Sequence, residues 1–443
     1  MKLRFTEVCW ELLVAVLLAR LDVETMAVLH ARPLDTGKAG EPIYVVEKVE
    51  TIPDDGYDVR RIDQLHVKPE VLIRATRSAR QKGRAVITIH THPMSDLPWF
   101  SLADDLGDQE LMPAFHTQIP GLLHGSMVLA RSGKVCARFF DADLQAHEVR
   151  VSVVGKQLRR IDIAVREGTA KRFSRQTLAL GAAGQAQLAE LRVGVVGAGG
   201  TGSVVAALLS HLGVGILEVF DADLIEAHNV SRGLGNQAED IGQLRKVQAA
   251  ARYAGGLGGR TQIIAHPTFL QGEEELRRLR ACDVIVSCVD REIPRALLNG
   301  LVYEALVPLI DVGTVFQVDA HGKVQADAGR VVLAGPGRPC LACWGELNPD
   351  QLRLEAMSEE DRAFEIEAGY IQGADEVQPS VMSFNTSVSA AAVTELLRIV
   401  TGFAGTDNPP GRLAFSFAKG TVRRNTVVPS PACIVCGKSN GQE

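Results

Sequence analysis

Arg192-Val193-Gly194-Val195-Val196-Gly197-Ala198-Gly199-Gly200-Thr201-Gly202 places three valines in five residues directly before four glycines in six. A branched apolar run of this kind reads as a buried strand, and the glycines as a tight turn into a helix starting at Thr201. Such a turn lets backbone N–H groups at a helix N-terminus approach a phosphate. Outward from it, elements alternate as βαβ units require: helix 176–190, strand 192–196, helix Thr201–Leu212, strand Ile216–Phe220, helix Ile241–Ala254, and strands Gln262–Ala265 and Val284–Ser287. A small-residue helix at about 379–402 and strands Arg412–Phe417 and Thr421–Val428 follow. The fold class is α/β, a Rossmann-like doubly wound sheet. Asp221, about 20 residues past the turn, suits a ribose. By itself this pattern also fits a dehydrogenase.

The chain has 443 residues, 46% apolar and 23% charged, ordinary globular values that call for two or three domains. Its 47 basic and 53 acidic residues leave a net charge of −6, so no global basic field holds nucleic acid or an anionic membrane. The longest clean apolar run, Leu12 to Ala19, is eight residues against the roughly 20 that span a bilayer. Arg20 closes it without a small-residue cleavage site, so it reads as a buried helix of a cytoplasmic protein and not as a signal peptide. Residues 1–150 have a different pattern: helices at about 7–20 and 69–81, and strands Tyr44–Val49, Ala85–Ile89, Met127–Ala130 and Val135–Phe140. Between the halves, 156–175 carries seven cations against Asp162 and Glu167. The expected organisation is a domain over 1–150, a basic linker and arginine segment over 151–175, and a second domain over 176–443.

Residues beyond the glycines separate the dehydrogenase from another chemistry. Phe220-Asp221-Ala222-Asp223-Leu224-Ile225-Glu226, Asn229-Val230-Ser231-Arg232, Asp240-Ile241-Gly242, Lys246, Cys288-Val289-Asp290 and Arg295 follow, with Arg172-Phe173-Ser174-Arg175-Gln176 upstream. Hydride transfer needs none of these. A carboxylate attack on the α-phosphate of ATP uses them all: cations for the triphosphate, an aspartate for Mg²⁺, and a dry site for pentavalent phosphorus. The set resembles the ubiquitin-activating superfamily, most closely its bacterial adenylyltransferases for sulfur carriers of molybdopterin synthase and thiamine, over about 170–443. The resemblance implies that Gly197, Gly199, Gly200 and Gly202 contact the nucleotide and that Asp221, with Asp223 nearby, takes the ribose. Asn229, Arg232 and Lys246 would hold phosphates and Asp290 Mg²⁺, while Arg175 would reach into a partner's site across a homodimer. Lys246 stands four residues after Gly242 where the family has three; Arg245 occupies that place, and either cation could serve.

Two C-x₂-C pairs, Cys340/Cys343 and Cys433/Cys436, read as metal ligands before disulfides. They match the family's four-cysteine zinc site, which is structural because four thiolates leave no open position. Between residues 344 and 432 there is no cysteine, although thioester-forming members keep their nucleophile there. Cys282 and Cys288 read as buried and inert.

In the first half, strand Ala85–Ile89 runs into His90-Thr91-His92-Pro93, then Trp99-Phe100-Ser101-Leu102-Ala103-Asp104. Two histidines at i and i+2 can point one way if the strand breaks at Pro93, and two imidazoles plus one carboxylate leave a fourth zinc position open for water. Water so bound falls toward pKa ~7 and needs a nearby carboxylate to take and return its proton. The pattern resembles the JAB/JAMM (MPN-type) zinc metalloprotease motif. That resemblance implies zinc on His90, His92 and Asp104, Glu24 of Glu24-Thr25-Met26-Ala27-Val28-Leu29 as general acid/base, and Ser101 steadying the oxyanion. The His92–Ser101 loop is one residue longer than the family's, and Asp105 adjoins Asp104, so either aspartate could ligate.

Together these readings give a fusion of a JAMM protease with an adenylyltransferase. Both modules would act on the C-terminal glycine of a ubiquitin-like protein, trimming or releasing it and then activating it with MgATP, in a bacterial ubiquitin-like conjugation pathway. A conjugating enzyme or sulfur donor would then receive the activated partner. The alternatives are sulfur-carrier activation for cofactor biosynthesis, and a docking-only protease module.

Overall fold

A computed structural model describes residues 1–37, 40–162, 171–319, 321, 324–367, 379–405 and 411–437. The chain forms two units that part at residues 164/165. No helix among the described residues is long and apolar enough to cross a membrane.

In the first unit the elements are β1 (Lys2–Thr6), α1 (Glu7–Leu17), β2 (Met26–Leu34), β3 (Ile43–Thr51), β4 (Tyr57–Arg60), β5 (Leu65–Val67), α2 (Pro69–Gln81), β6 (Ala85–His92), α3 (Leu102–Gln118), β7 (His124–Ala130), β8 (Val135–Phe140), β9 (Ala146–Glu148), β10 (Arg150–Val154) and β11 (Leu158–Arg160). Nine strands form one sheet in the order β11-β10-β1-β3-β2-β6-β7-β8-β9, with β4-β5 a separate ribbon. Alternation along the strands gives the sheet two apolar faces. Phe5, Leu29, Ile87, Ile89 and Met127 pack with Trp10, Leu13 and Leu17 of α1. Val28 and Val86 pack on the other face with Ala75 and Ala79 of α2 and Met112 and Phe115 of α3.

Three expectations are corrected here. α1 is amphipathic and not buried all round, since Val8, Leu12 and Val16 stand exposed on its outer side. β6 runs past the expected Ile89 to His92 and stops before Pro93, so His90 and His92 share Val86's face by alternation within the strand itself. The first unit also extends past 150. β10 pairs in parallel with β1, from Lys2↔Arg150 to Thr6↔Val154, and β11 closes the edge. The basic residues read as linker are in part sheet residues with acidic partners: Arg160 bonds Asp162, and Arg159 lies 3.7 and 3.8 Å from Glu7 and Glu11. Arg166 and Glu167 lie outside the described residues.

The second unit comprises α4 (Ser174–Glu190, kinked at Gly181), β12 (Arg192–Val196), α5 (Gly202–Leu212), β13 (Ile216–Phe220), α6 (Lys246–Gly256), β14 (Gln262–His266), α7 (Glu273–Arg280), β15 (Val284–Ser287), α8 (Glu292–Glu304), β16 (Leu309–Val318), β17 (Val324–Ala334), α9 (Pro349–Ala356), α10 (Glu359–Glu367), α11 (Met382–Thr401), β18 (Arg412–Ser416) and β19 (Thr421–Asn425). The sheet order is β14-β13-β12-β15-β16-β17-β18-β19. From β14 to β16 it is parallel, and beyond β16 antiparallel. Val193, Val195, Val284 and Val286 are all fully buried, as central parallel strands require. The chain order reverses between β12 and β15, which makes their C-terminal ends the switch point where open α/β sheets bind ligands. The helix expected at Ile241–Ala254 starts later, at Lys246, because a 3₁₀ turn at Ala238–Asp240 and left-handed Gly242 (φ 68°) precede it.

Candidate functional site

At the β12/β15 switch point three of the four glycines have a steric reason to be glycine. Gly197 is left-handed (φ 92°), and a Cβ there would lie 2.7 Å from the Cys288 carbonyl oxygen. A Cβ on Gly202 would lie 1.8 Å from the Gly197 carbonyl oxygen, and one on Gly200 would lie 2.4 Å from Nδ2 of Asn385 in α11. Gly199 differs: among the described residues a Cβ would meet nothing within 4 Å. The chain itself does not demand a glycine there.

Asp221 ends β13 beside this turn. Its Oδ2 accepts the Ala198 N–H at 2.7 Å and its Oδ1 the Asp223 N–H at 2.9 Å. Burial raises its pKa. Lys246, the first residue of α6, donates to Asp223 Oδ2 at 2.6 Å, and Arg245 donates to the Ala222 carbonyl. Both cations left open by the spacing therefore converge on residues 222–223. Asn229 is buried, its Oδ1 accepting the Glu226 N–H at 3.0 Å and so capping the turn that presents Arg232. Among the described residues the side chains of half-buried Arg232 and exposed Asp290 have no polar partner. Arg175, exposed on the first turn of α4, has none either. The segment ending at Asp290 lies against the glycine turn through the Cys288 carbonyl.

Cys288 is half-buried, and desolvation of its thiol pushes it up to about 12. Cys282 is fully buried. Neither is an accessible thiolate.

A buried network under this loop was not legible in the sequence. Asp311 of β16, fully buried, accepts from Ser287 Oγ at 2.9 Å, Arg295 at 2.9 and 3.2 Å, and Arg330 at 3.3 Å. It ties α8, which follows Asp290, to the sheet.

Cys340, Cys343, Cys433 and Cys436 bring their sulfurs within 4.8 Å of one another. Cys340 and Cys433, and Cys343 and Cys436, stand at 3.5 Å, too far for an S–S bond of about 2.05 Å. Zn–S bonds of about 2.3 Å place tetrahedral thiolates roughly 3.8 Å apart, so the donor set fits a closed zinc site. The Cys436 backbone N–H is the main cause that lowers the Cys433 thiol to about 6.

In the first unit the structure brings His90, His92 and Asp104 together, with donor atoms within 4.8 Å of one another. The two Nε2 atoms are 3.2 Å apart, and Asp104 reaches them at 2.9 and 3.5 Å. Two imidazole nitrogens and a carboxylate converging this closely form a donor set that fits a divalent ion with an open position. Asp104 is the third helical residue of α3 and closes a capping box with Ser101. Its Oδ2 accepts the Ser101 N–H at 2.6 Å and hydroxyl at 2.8 Å, and Ser101 Oγ accepts the Asp104 N–H at 3.2 Å. The hydroxyl expected to face an oxyanion thus donates to Asp104 here. Asp105 instead bonds Arg138 at 2.6 Å, which leaves Asp104 as the aspartate that faces the two histidines. Glu24, just before β2, is buried, and burial raises its pKa against the opposing influence of His90 and His92. Trp99 packs its ring 5.0 Å from that of His92.

The ThiF family model matches residues 173–435. The sulfur carrier protein adenylyltransferase of Thermus thermophilus is 31% identical over 268 residues, which is 60% of this chain and 90% of that protein. The mouse adenylyltransferase and sulfurtransferase MOCS3 is 28% identical over 270 residues, and this chain spans 52% of its length. The Aspergillus terreus adenylyltransferase and sulfurtransferase uba4 is 30% identical over 175 residues, 39% of this chain and 36% of that protein. The crystal structure of E. coli MccB with MccA-N7isoASN shares the fold at a TM-score of 0.50 and 18% identity, covering 62% of this chain and 77% of that one.

Proposed function

Because the chain belongs to the ThiF family, we propose that its second unit activates the C-terminal carboxylate of a ubiquitin-like sulfur-carrier protein by adenylation. A carboxylate oxygen attacks the α-phosphorus of ATP, the bond to the β-phosphate oxygen breaks, and pyrophosphate leaves. The observation that carries this reading is the unobstructed glycine turn at the switch point, flanked by Arg232 and Asp290 without polar partners. The turn would present backbone N–H groups to phosphate, Arg232 would neutralise negative charge, and Asp290 would hold Mg²⁺, which supplies further charge neutralisation when bound. Asp221 fixes the turn through Ala198 N–H and retains lone pairs for a ribose hydroxyl. Arg175 would complete the neighbouring site in a homodimer.

The names of the relatives favour sulfur-carrier activation over a ubiquitin-like conjugation pathway, because each pairs adenylyl transfer with a sulfur carrier or a sulfurtransferase. Buried Cys282 and half-buried Cys288, whose thiol is raised by desolvation, agree: an activator that stops at the acyl-adenylate leaves the next step to another protein's sulfur.

For the first unit we propose a zinc-dependent peptidase of the JAMM type acting on the same partner's C-terminus. Zinc on His90, His92 and Asp104 would supply Lewis acidity at the scissile carbonyl, and Glu24, held neutral more readily by burial, would carry the proton. Docking without hydrolysis is the rival, and Glu24→Gln separates the two.

The test is ATP–pyrophosphate exchange with a small glycine-ended ubiquitin-like protein. Exchange should require that partner and Mg²⁺ and fall at least 100-fold in Asp290→Ala and in Arg232→Ala. Exchange that ignores both substitutions would sink the assignment.

A further inference from the structure

Asp104 completes the histidine pocket from a helix terminus, and apart from the two histidines themselves its side-chain partners among the described residues stay within its own capping box. We infer that Arg138 of β8 is the tether, a positioning residue that holds the start of α3 where Asp104 can share an ion with His90 and His92. The inference rests on the zinc assignment made above and deepens it.

One guanidinium engages the helix start on both sides of the ligand. Arg138 lies 3.8 Å beneath the centre of the Phe100 ring, immediately before the Ser101 cap. It bonds Asp105 at 2.6 Å, one residue after the ligand, and Asp108 at 2.6 and 2.8 Å one turn on. Asp108 is buried and accepts also from Ser126 Oγ of β7, so the tether spans β7, β8 and α3. Only an arginine presents a planar fork to two carboxylates while stacking on an aromatic face. Asp104 itself receives only Ser101, within its own capping box, and the two histidines. The reach of Asp104 to both Nε2 atoms therefore depends on the placement of α3. Metal ligands supported from behind in this way lose affinity by about 10–100-fold when the support goes.

The experiment uses the full chain and zinc competition against a chromophoric chelator, with Co²⁺ absorption as a second readout. His90→Ala is the control that identifies the ion of this pocket beside the four-cysteine ion. Arg138→Lys, which keeps the charge but not the fork or the stacking, should bind this ion at least ten-fold more weakly. Its Co²⁺ bands should weaken as the coordination number rises, while the metal-free thermal midpoint stays at the parental value. The pair Arg138→Met with Asp108→Asn removes the tether without leaving a buried charge and should show the same loss. If His90→Ala releases no ion, the zinc assignment itself fails. If His90→Ala releases it but both Arg138 variants keep parental affinity and bands, the tether is refuted. A loss of affinity matched by a lower metal-free midpoint in both variants would also refute it, since Arg138 would then merely stabilise the unit.

Discussion

Gly199→Ala separates what the fold requires of the glycine turn from what a ligand requires. A methyl at Gly202 or Gly197 collides with backbone oxygen at 1.8 or 2.7 Å, whereas one at Gly199 meets no heavy atom within 4 Å, and its backbone lies outside the left-handed region. On folding alone, alanine at such a site should stabilise by about 0.4–1 kcal/mol, because it narrows the unfolded ensemble. A nucleotide whose phosphates approach that backbone would meet the methyl instead. Overpacking of a close contact costs about 1–3 kcal/mol, or roughly 5- to 150-fold in affinity. The assay is a thermal melt alongside the KM for ATP in pyrophosphate exchange. The melt should hold or rise by a few degrees while KM climbs at least five-fold, and Gly202→Ala should fail to reach the native fold of the second unit. A Gly199→Ala protein with both the parental melt and the parental KM would show that no nucleotide passes over this turn.

Replacing Cys282 and Cys288 together by alanine should leave exchange within a few-fold, a packing-sized change of about 1 kcal/mol; a thiol-sensitive adduct lost in that double variant would make one of them the nucleophile. Mixing Arg175→Ala with Asp290→Ala chains should restore part of the exchange through one intact composite site, and verified mixed dimers without activity would place Arg175 in its own chain's site. In the first unit, buried His124 uses Nδ1 to accept the Val86 N–H and Nε2 to bond the Ile119 carbonyl, and burial lowers its pKa to about 4. The unfolded chain binds that proton first, so stability should be full above pH ~6.5 and fall by up to about 3 kcal/mol as pH drops to ~4. Urea melts of the parent and of His124→Gln should differ in slope across that window, and parallel slopes would contradict the assignment.

What could be read in the sequence was what depends on short-range pattern. The valines of β12 and the glycines after it, the histidines two apart on β6, and the C-x₂-C spacing each carry their geometry locally. α3 went unread because Gly107, Pro113 and its run of acids mask a helical period, although its capping box at Ser101 and Asp104 was in view. β10 and β11 were read as linker because their arginines look solvent-facing until Glu7, Glu11 and Asp162 are brought beside them. The same limit hides Arg138 and Asp311, whose partners Phe100, Asp105, Asp108, Arg295 and Arg330 lie 16 to 38 positions away. Lys246 and Arg245 were indistinguishable by spacing, and the fold gives them different anchors, Asp223 and the Ala222 carbonyl.

The most direct test of adenylation is the intact mass of the glycine-ended partner after incubation with this chain, MgATP and inorganic pyrophosphatase. The account predicts a mass gain of one adenylyl group on the partner, held non-covalently by the chain and absent with Asp290→Ala. Pyrophosphate release with the partner's mass unchanged, or the partner joined covalently to this chain, would contradict it.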